Sequence, residues 1–113
     1  VDCLFCKIIA GEIPSRQAYQ DERVVAFHDI APQAPVHILI VPREHLRGLS
    51  DLTADHGPLL GAIHAAANTI ARQQRIAETG YRLVVNNGPH SGQTVFHLHY
   101  HLLGGAPLGR FGA

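Results

Sequence analysis

Three features of the sequence predict an α+β fold. One stretch carries a long helical stripe, and four strand-like apolar runs lie before and after it. Turns rich in Gly and Pro separate several of these runs and suit antiparallel hairpins better than repeated βαβ units. At 113 residues the chain is expected to form one domain, spanning 1–113, with a modest core.

"CLFCKIIAG" places Leu4, Phe5, Ile8 and Ile9 at helical spacing and stops at Gly11 and Pro14, which predicts a short N-terminal helix. "RVVAFHDI" and "HILIVP" are strand-like and are joined by the Pro-containing loop "APQAPV". Thr53 is a suitable cap for the longest helix, whose buried stripe is Leu59, Ile63, Ala66, Ala67 and Ile70. "YRLVVNN" is a further strand, and "GPHSGQ" turns it into the last one, "TVFHLHYHLL", residues 94–103.

That last run sends His97, His99 and His101 to one face, with Phe96, Leu98, Tyr100 and Leu102 expected to pack on the other. Same-face neighbours lie about 6.6 Å apart, so the outer two histidines are separated by roughly 13 Å. A zinc ion holds nitrogen at about 2.0–2.1 Å, so one metal cannot easily engage both ends. The three imidazoles therefore have at least two tasks, which leaves metal binding, phosphate handling and structural hydrogen bonding in play.

Nine basic residues balance nine acidic ones, and both kinds are scattered. This excludes a nucleic-acid binder that relies on a basic face, but a small anionic ligand needs only a local site. No apolar run approaches the length of a membrane span. Two cysteines in one Cys3-x-x-Cys6 pair do not make a secreted disulfide framework, which points to a reducing cytoplasm.

The segment "NNGPHSGQT", residues 86–94, feeds the histidine run. Gly88 and Gly92 permit positive φ, so its N–H groups either cradle an anion or simply form a hairpin loop. Asn86, Gln93 and Thr94 add hydrogen-bonding groups at the same end. Asp29 closes a strand and either caps a turn or accepts two hydroxyl hydrogens from a ribose.

"FHLHYHLL" resembles the His-x-His-x-His-x-x pattern of the histidine-triad (HIT) superfamily. "FHDIAPQAPVHILIVPREHL" and "YRLVVNNGPHSGQTVFHLHYHLLGG" resemble its Hint branch, the histidine-triad nucleotide-binding proteins or purine nucleoside phosphoramidases. The likeness runs from about Cys3 to Gly105. It implies a five-stranded antiparallel sheet with one long and one short helix, joined to a second sheet across a homodimer. It also implies hydrolysis of the P–N bond of adenosine 5′-monophosphoramidates, with a purine nucleotide as ligand. By the same resemblance, His99 matches the nucleophile and forms a covalent nucleotidyl-histidine. A protonated His101 matches the group that contacts phosphate and assists the leaving group, while His97 and His37 match supporting histidines. Asp29 and Ile30 match the ribose-binding pair, and Asn86, Gly92, Gln93 and Thr94 the phosphate turn. Phe5, Ile13 and Phe27 fall where the family lines its purine pocket. Two readings compete with the phosphoramidase: a nucleotide-binding regulatory module with little turnover, and a dinucleoside polyphosphate hydrolase or nucleotidyl transferase.

Some bacterial members with the Cys pair bind zinc, and their ligands correspond here to Cys3, Cys6, His45 and His97. A closed Cys₂His₂ set makes a structural site. The competing reading is a pair of buried apolar cysteines. His90 is a substitute fourth ligand, and His28, His56 and His64 are surface or core histidines. The tail "GGAPLGRFGA" departs from relatives in having Ala106 in place of Arg and no Trp, so leaving-group preference transfers least well.

Overall fold

The computed structural model describes residues 3–110. A five-stranded antiparallel sheet carries α2 (Gly57–Gln73) on one face and the short α1 (Leu4–Ile9) on the other. The strands are β1 (Gln17–Gln20), β2 (Val24–His28), β3 (Val36–Pro42), β4 (Tyr81–Val85) and β5 (Tyr100–Gly104), in the order β1-β2-β3-β5-β4. The predicted α+β class and both helices are present.

Alternation along the strands divides the core in two. Val24, Ala26, Ile38, Ile40, Tyr100 and Leu102 face α2 and meet its stripe of Leu59, Ile63, Ala66, Ala67 and Ile70. Burying each large aliphatic of that stripe stabilises the fold by about 1.5–3 kcal/mol. Val25, Phe27, Leu39 and Val41 point the other way and pack with Phe5 and Cys3 at the start of α1.

Two local expectations differ from the structure, and one strand is announced by no pattern of its own. Thr53 caps the 3₁₀ turn Ala54–His56, its hydroxyl accepting from the Asp55 N–H, and α2 starts only after that turn. The edge strand β1 has no alternating apolar pattern to announce it, because its sequence "QAYQ" is polar at both ends. The histidine run is a ladder strand only from Tyr100 onward. Continuing the register of Ile40 opposite Tyr100 would set Leu98 opposite Pro42, which has no N–H to donate, so the ladder stops there. The Leu98 N–H turns instead to the Leu46 carbonyl at 2.6 Å. Alternation survives this break, since Leu98 still joins the α2 side and His97 is fully buried on the other, but Phe96 is exposed.

Residues 47–50 cross beneath the 86–93 turn. Ser50 donates its N–H to Asn87 Oδ1 at 3.0 Å and accepts from Asn87 Nδ2 at 2.9 Å. A Cβ on Gly48 would lie 2.6 Å from that same Oδ1, so there is no room for one. Gly48→Ala is therefore expected to pull Asn87 off Ser50. The loss should be about 1–3 kcal/mol, read as a lower urea midpoint with an unchanged m-value.

Candidate active site and metal centre

The face of the sheet opposite α2 gathers five histidines: His37, His45, His97, His99 and His101. His37 and His101 come from adjacent strands, and their rings meet at His37 Nε2···His101 Nδ1, 2.9 Å. The rings of His99 and His101 are edge to face with centroids 5.1 Å apart. Phe5 of α1 packs edge-on against His99 at 5.0 Å and against Phe27 at 5.4 Å. Val85 pairs with Tyr100, and Asn86 is the first residue after β4.

The tautomers follow from what each ring touches. His99 Nδ1 lies 2.7 Å from the His97 carbonyl oxygen and must donate to it. Its proton is then on Nδ1, and the Nε2 lone pair is free. Burial lowers the proton affinity of His99, while the bond to the His97 carbonyl and the Asp29 charge favour protonation. His37 is held low mainly by burial, against the pull of Asp29, whose Oδ2 is 3.5 Å from His37 Nε2. Burial, followed by the neighbouring His99 and His37, takes His101 down to about 4. His101 is thus neutral near pH 7 in the free protein. The physical reason is that a second proton there would be desolvated and would sit between two other imidazoles.

Beside these histidines opens a cavity of about 660 Å³, lined by Phe5, Ile8, Ile13, Phe27, Leu39, Asp29 and Ile30 among others. That volume suits a small organic ligand, and apolar walls with a few polar groups are the usual composition. Asp29 Oδ1 accepts the Ala31 N–H at 2.8 Å, so it does cap the turn, yet its carboxylate also lines the cavity.

At the other end of the histidine run, four side chains from distant parts of the chain converge. Cys3 Sγ is 3.4 Å from His97 Nδ1, and Cys6 Sγ is 3.3 Å from His45 Nδ1 and 3.6 Å from His97 Nδ1. The two Nδ1 atoms are 3.2 Å apart. Bonds of about 2.0 Å to nitrogen and 2.3 Å to sulfur give tetrahedral edges of about 3.3–3.8 Å, so this donor set fits a zinc-sized ion. His97 Nε2 donates to the Pro42 carbonyl at 2.8 Å, which leaves Nδ1 deprotonated and turned toward the sulfurs.

The family model described as HIT domain matches residues 10–108, covering the sheet, α2 and the histidine run. The chain belongs to the HIT family. It is 52% identical over 108 residues to the purine nucleoside phosphoramidase of Escherichia coli strain K12, spanning 96% of this chain and 91% of that one. It is 49% identical over 107 residues to the 14 kDa zinc-binding protein of Zea mays, spanning 93% of this chain and 83% of that one. A solved structure of a HIT family hydrolase from Clostridium thermocellum superposes with a TM-score of 0.95 at 52% identity, over 99% of this chain and 97% of that one.

Most residues named from sequence fall into three groups. His37, His99 and His101 meet on one face. Phe5, Ile13, Phe27, Asp29 and Ile30 line one cavity, and Cys3, Cys6, His45 and His97 form one donor cluster. The 86–94 turn is less uniform. Gly92 adopts φ 95°, and Asn86 Nδ2 is occupied by the Ser91 carbonyl. Gln93 is buried, with Nε2 donating to the Arg47 and Val95 carbonyls and Oε1 accepting the Gly88 N–H, so its amide holds the turn in shape. Thr94 is exposed and lines a different hollow, beside His45 and Phe96. His90 is exposed and outside the donor cluster. Of the tail, residues 111–113 lie outside the described residues. Sequence reading missed three groups that shape the site: the Pro42 carbonyl, the Gln33 N–H and Leu39. The first two are backbone groups and carry no residue signature, and Leu39 reads as ordinary strand core.

Proposed function

We propose that this chain is a purine nucleoside phosphoramidase, cleaving the P–N bond of adenosine 5′-monophosphoramidates through a nucleotidyl-histidine. The observation that carries the reading is the His99 tautomer: the bond from Nδ1 to the His97 carbonyl leaves an Nε2 lone pair among polar rings beside a nucleoside-sized cavity. The E. coli relative's name supports the substrate class.

The purine lies among Phe5, Ile13 and Phe27, with the ribose on Asp29 and Ile30. The phosphate rests against Gly92 and Asn86, with Gln93 and Thr94 shaping and flanking that turn. His99 Nε2 attacks the α-phosphorus, and the P–N bond breaks with its electron pair going to nitrogen. Phosphate charge beside His101 opposes the effect of burial and favours a second proton on the ring from solvent, and the Nε2 proton passes to the departing amine. Water then attacks the nucleotidyl-histidine, its proton is taken up by His101, and AMP leaves with His99 restored. His37 supports His101, and His97 supports His99 through its carbonyl.

We also assign one zinc per chain to Cys3, Cys6, His45 and His97. A zinc with four protein ligands has no open position for water, so it supplies stability and not a nucleophile. The Zea mays relative's name supports this. The chain acts as one domain, 1–113, and as a homodimer. The edge strand β4, with an unpaired outer side, supports that assembly. Reduced thiols at the metal centre suit the cytoplasm. No helix among the described residues is long and apolar enough to cross a membrane.

A release assay tests the reaction: an alkylamine adenosine phosphoramidate should turn over faster than a diadenosine polyphosphate, and the reverse order would overturn the substrate assignment. The ribose assignment has its own test. Wild-type protein should prefer a ribonucleotide over its 2′-deoxy form by about tenfold in calorimetry, the scale of one hydrogen bond to a charged group. Asp29→Asn keeps an oxygen for the Ala31 N–H and should erase most of that preference. Equal wild-type affinities would assign Asp29 to the turn alone.

A further inference from the structure

The two rings closest to the chemistry present opposite polarity, and backbone groups set both. His99 offers a lone pair because its Nδ1–H is held by the His97 carbonyl. His101 is set through a longer chain of contacts that begins in the loop between β2 and β3. The Gln33 N–H donates to His37 Nδ1 at 3.0 Å, so that nitrogen carries a lone pair and no proton. The proton of neutral His37 is therefore on Nε2, which lies 2.9 Å from His101 Nδ1. His101 Nδ1 must accept, which leaves the only His101 proton on Nε2, the nitrogen away from His37.

We propose that the backbone N–H of Gln33 is a positioning group for the reaction, holding His101 as a neutral Nε2–H donor until substrate arrives. A second proton on His101 would have to sit on Nδ1, facing the N–H of His37. His37 could yield only by moving its own proton to Nδ1, against the N–H of Gln33. The peptide group at position 33 thus lowers the proton affinity of a ring it does not touch.

The surroundings of His101 agree with this. His99 faces it from its own segment, His37 from β3 and Asp29 from the loop after β2, while β4 sets the apolar Val84 opposite it. Asp29 favours the charged form, yet His101 is held down to about 4. Donor atoms of Asp29, His37 and His101 lie within 4.8 Å of one another, the spacing of a possible metal centre. A cation there would need the Nε2 lone pair of His37, which the Gln33 hydrogen bond withholds. The same contact therefore selects a hydrogen-bonded relay over a second metal.

The role in turnover rests on the phosphoramidase reading, but the test can be made without substrate. Long-range ¹H–¹⁵N correlation spectra report which nitrogen of each imidazole is protonated. In the dimeric, zinc-loaded protein at neutral pH, His37 and His101 should each be protonated at Nε2 alone. Gln33→Ala keeps the N–H and removes only an exposed side chain bonded to the Ala31 carbonyl, so its spectra should match the wild type. Lactic acid at position 33, installed by nonsense suppression, changes that amide to an ester and deletes the N–H. It should mix the tautomers of both rings and raise the His101 midpoint toward the ordinary value of about 6.5. In turnover, kcat should fall about tenfold with little change in KM, the pattern of a misplaced proton donor. A wild-type His101 protonated at Nδ1, or an ester variant with unchanged spectra, would overturn the proposal. Correct spectra with no phosphoramidate turnover would leave it standing and remove the substrate reading instead.

Discussion

His99→Ala should lose turnover by a factor on the order of 10⁴ or more while keeping nucleotide affinity within a few-fold of wild type. A nucleophile cannot be partly replaced by its neighbours. The His97 imidazole is turned toward the cysteines with its Nε2 on the Pro42 carbonyl, and His101 presents a proton where a lone pair is needed. Affinity survives because the cavity walls are contributed by α1, β2, β3 and the loops beside them, none of which includes His99. Single-turnover release of amine measures the first quantity, and calorimetry with AMP the second. His99→Gly should recover part of the rate with added imidazole, since the deletion leaves a ring-sized gap beside Phe5. Near-normal turnover in His99→Ala would end the covalent mechanism.

Cys3→Ser should lower the melting temperature of the zinc-loaded protein by on the order of 10 °C. Structural zinc is coupled to folding, and losing one of four ligands removes several kcal/mol from a domain of this size. The reason for so large an expected shift lies in α1. It has six residues, too few to be stable in isolation, and Cys3 both caps it through the Cys6 N–H and belongs to the four-residue donor cluster. Chelation should reproduce the same shift in wild type and add little to it in the variant. Turnover measured promptly after chelation, on still-folded protein, should fall much less than the melting temperature suggests. Elemental analysis of protein purified without chelators should return about one zinc per chain. Finding none, with both thiols freely titrating, would return Cys3 and Cys6 to the apolar core.

Periodic features were readable without coordinates. The α2 stripe, the β2–β3 hairpin and the alternation of histidines with apolar residues each repeat along the chain, and burial of one face forces that repetition. From these the α+β class followed, as did the expectation that the three histidines of the run have at least two tasks. The resemblance of the motifs then supplied the fifth strand and the roles proposed above for Asp29, His99 and His101. Short or partner-dependent elements were harder to read. The strand β1 has no apolar period of its own, and the histidine ladder begins at Tyr100 because of Pro42 on the neighbouring strand.

By itself the sequence determined which side chains are present and on which side of the sheet they point. His97, His99 and His101 share a side because their alternation with apolar residues persists even where the ladder stops. Only the tertiary structure decided what each imidazole does there. His97 faces Cys3, Cys6 and His45 because the Pro42 carbonyl takes its other nitrogen. His99 bears a free lone pair because the His97 carbonyl takes its proton, and His101 bears a proton because the Gln33 N–H fixes His37. Each of those decisive partners is a backbone group. Every residue except proline carries both an N–H and a carbonyl, so residue type cannot announce which of them will orient a ring. Folding selects them by distance and angle, and with them the proton positions on which the chemistry depends.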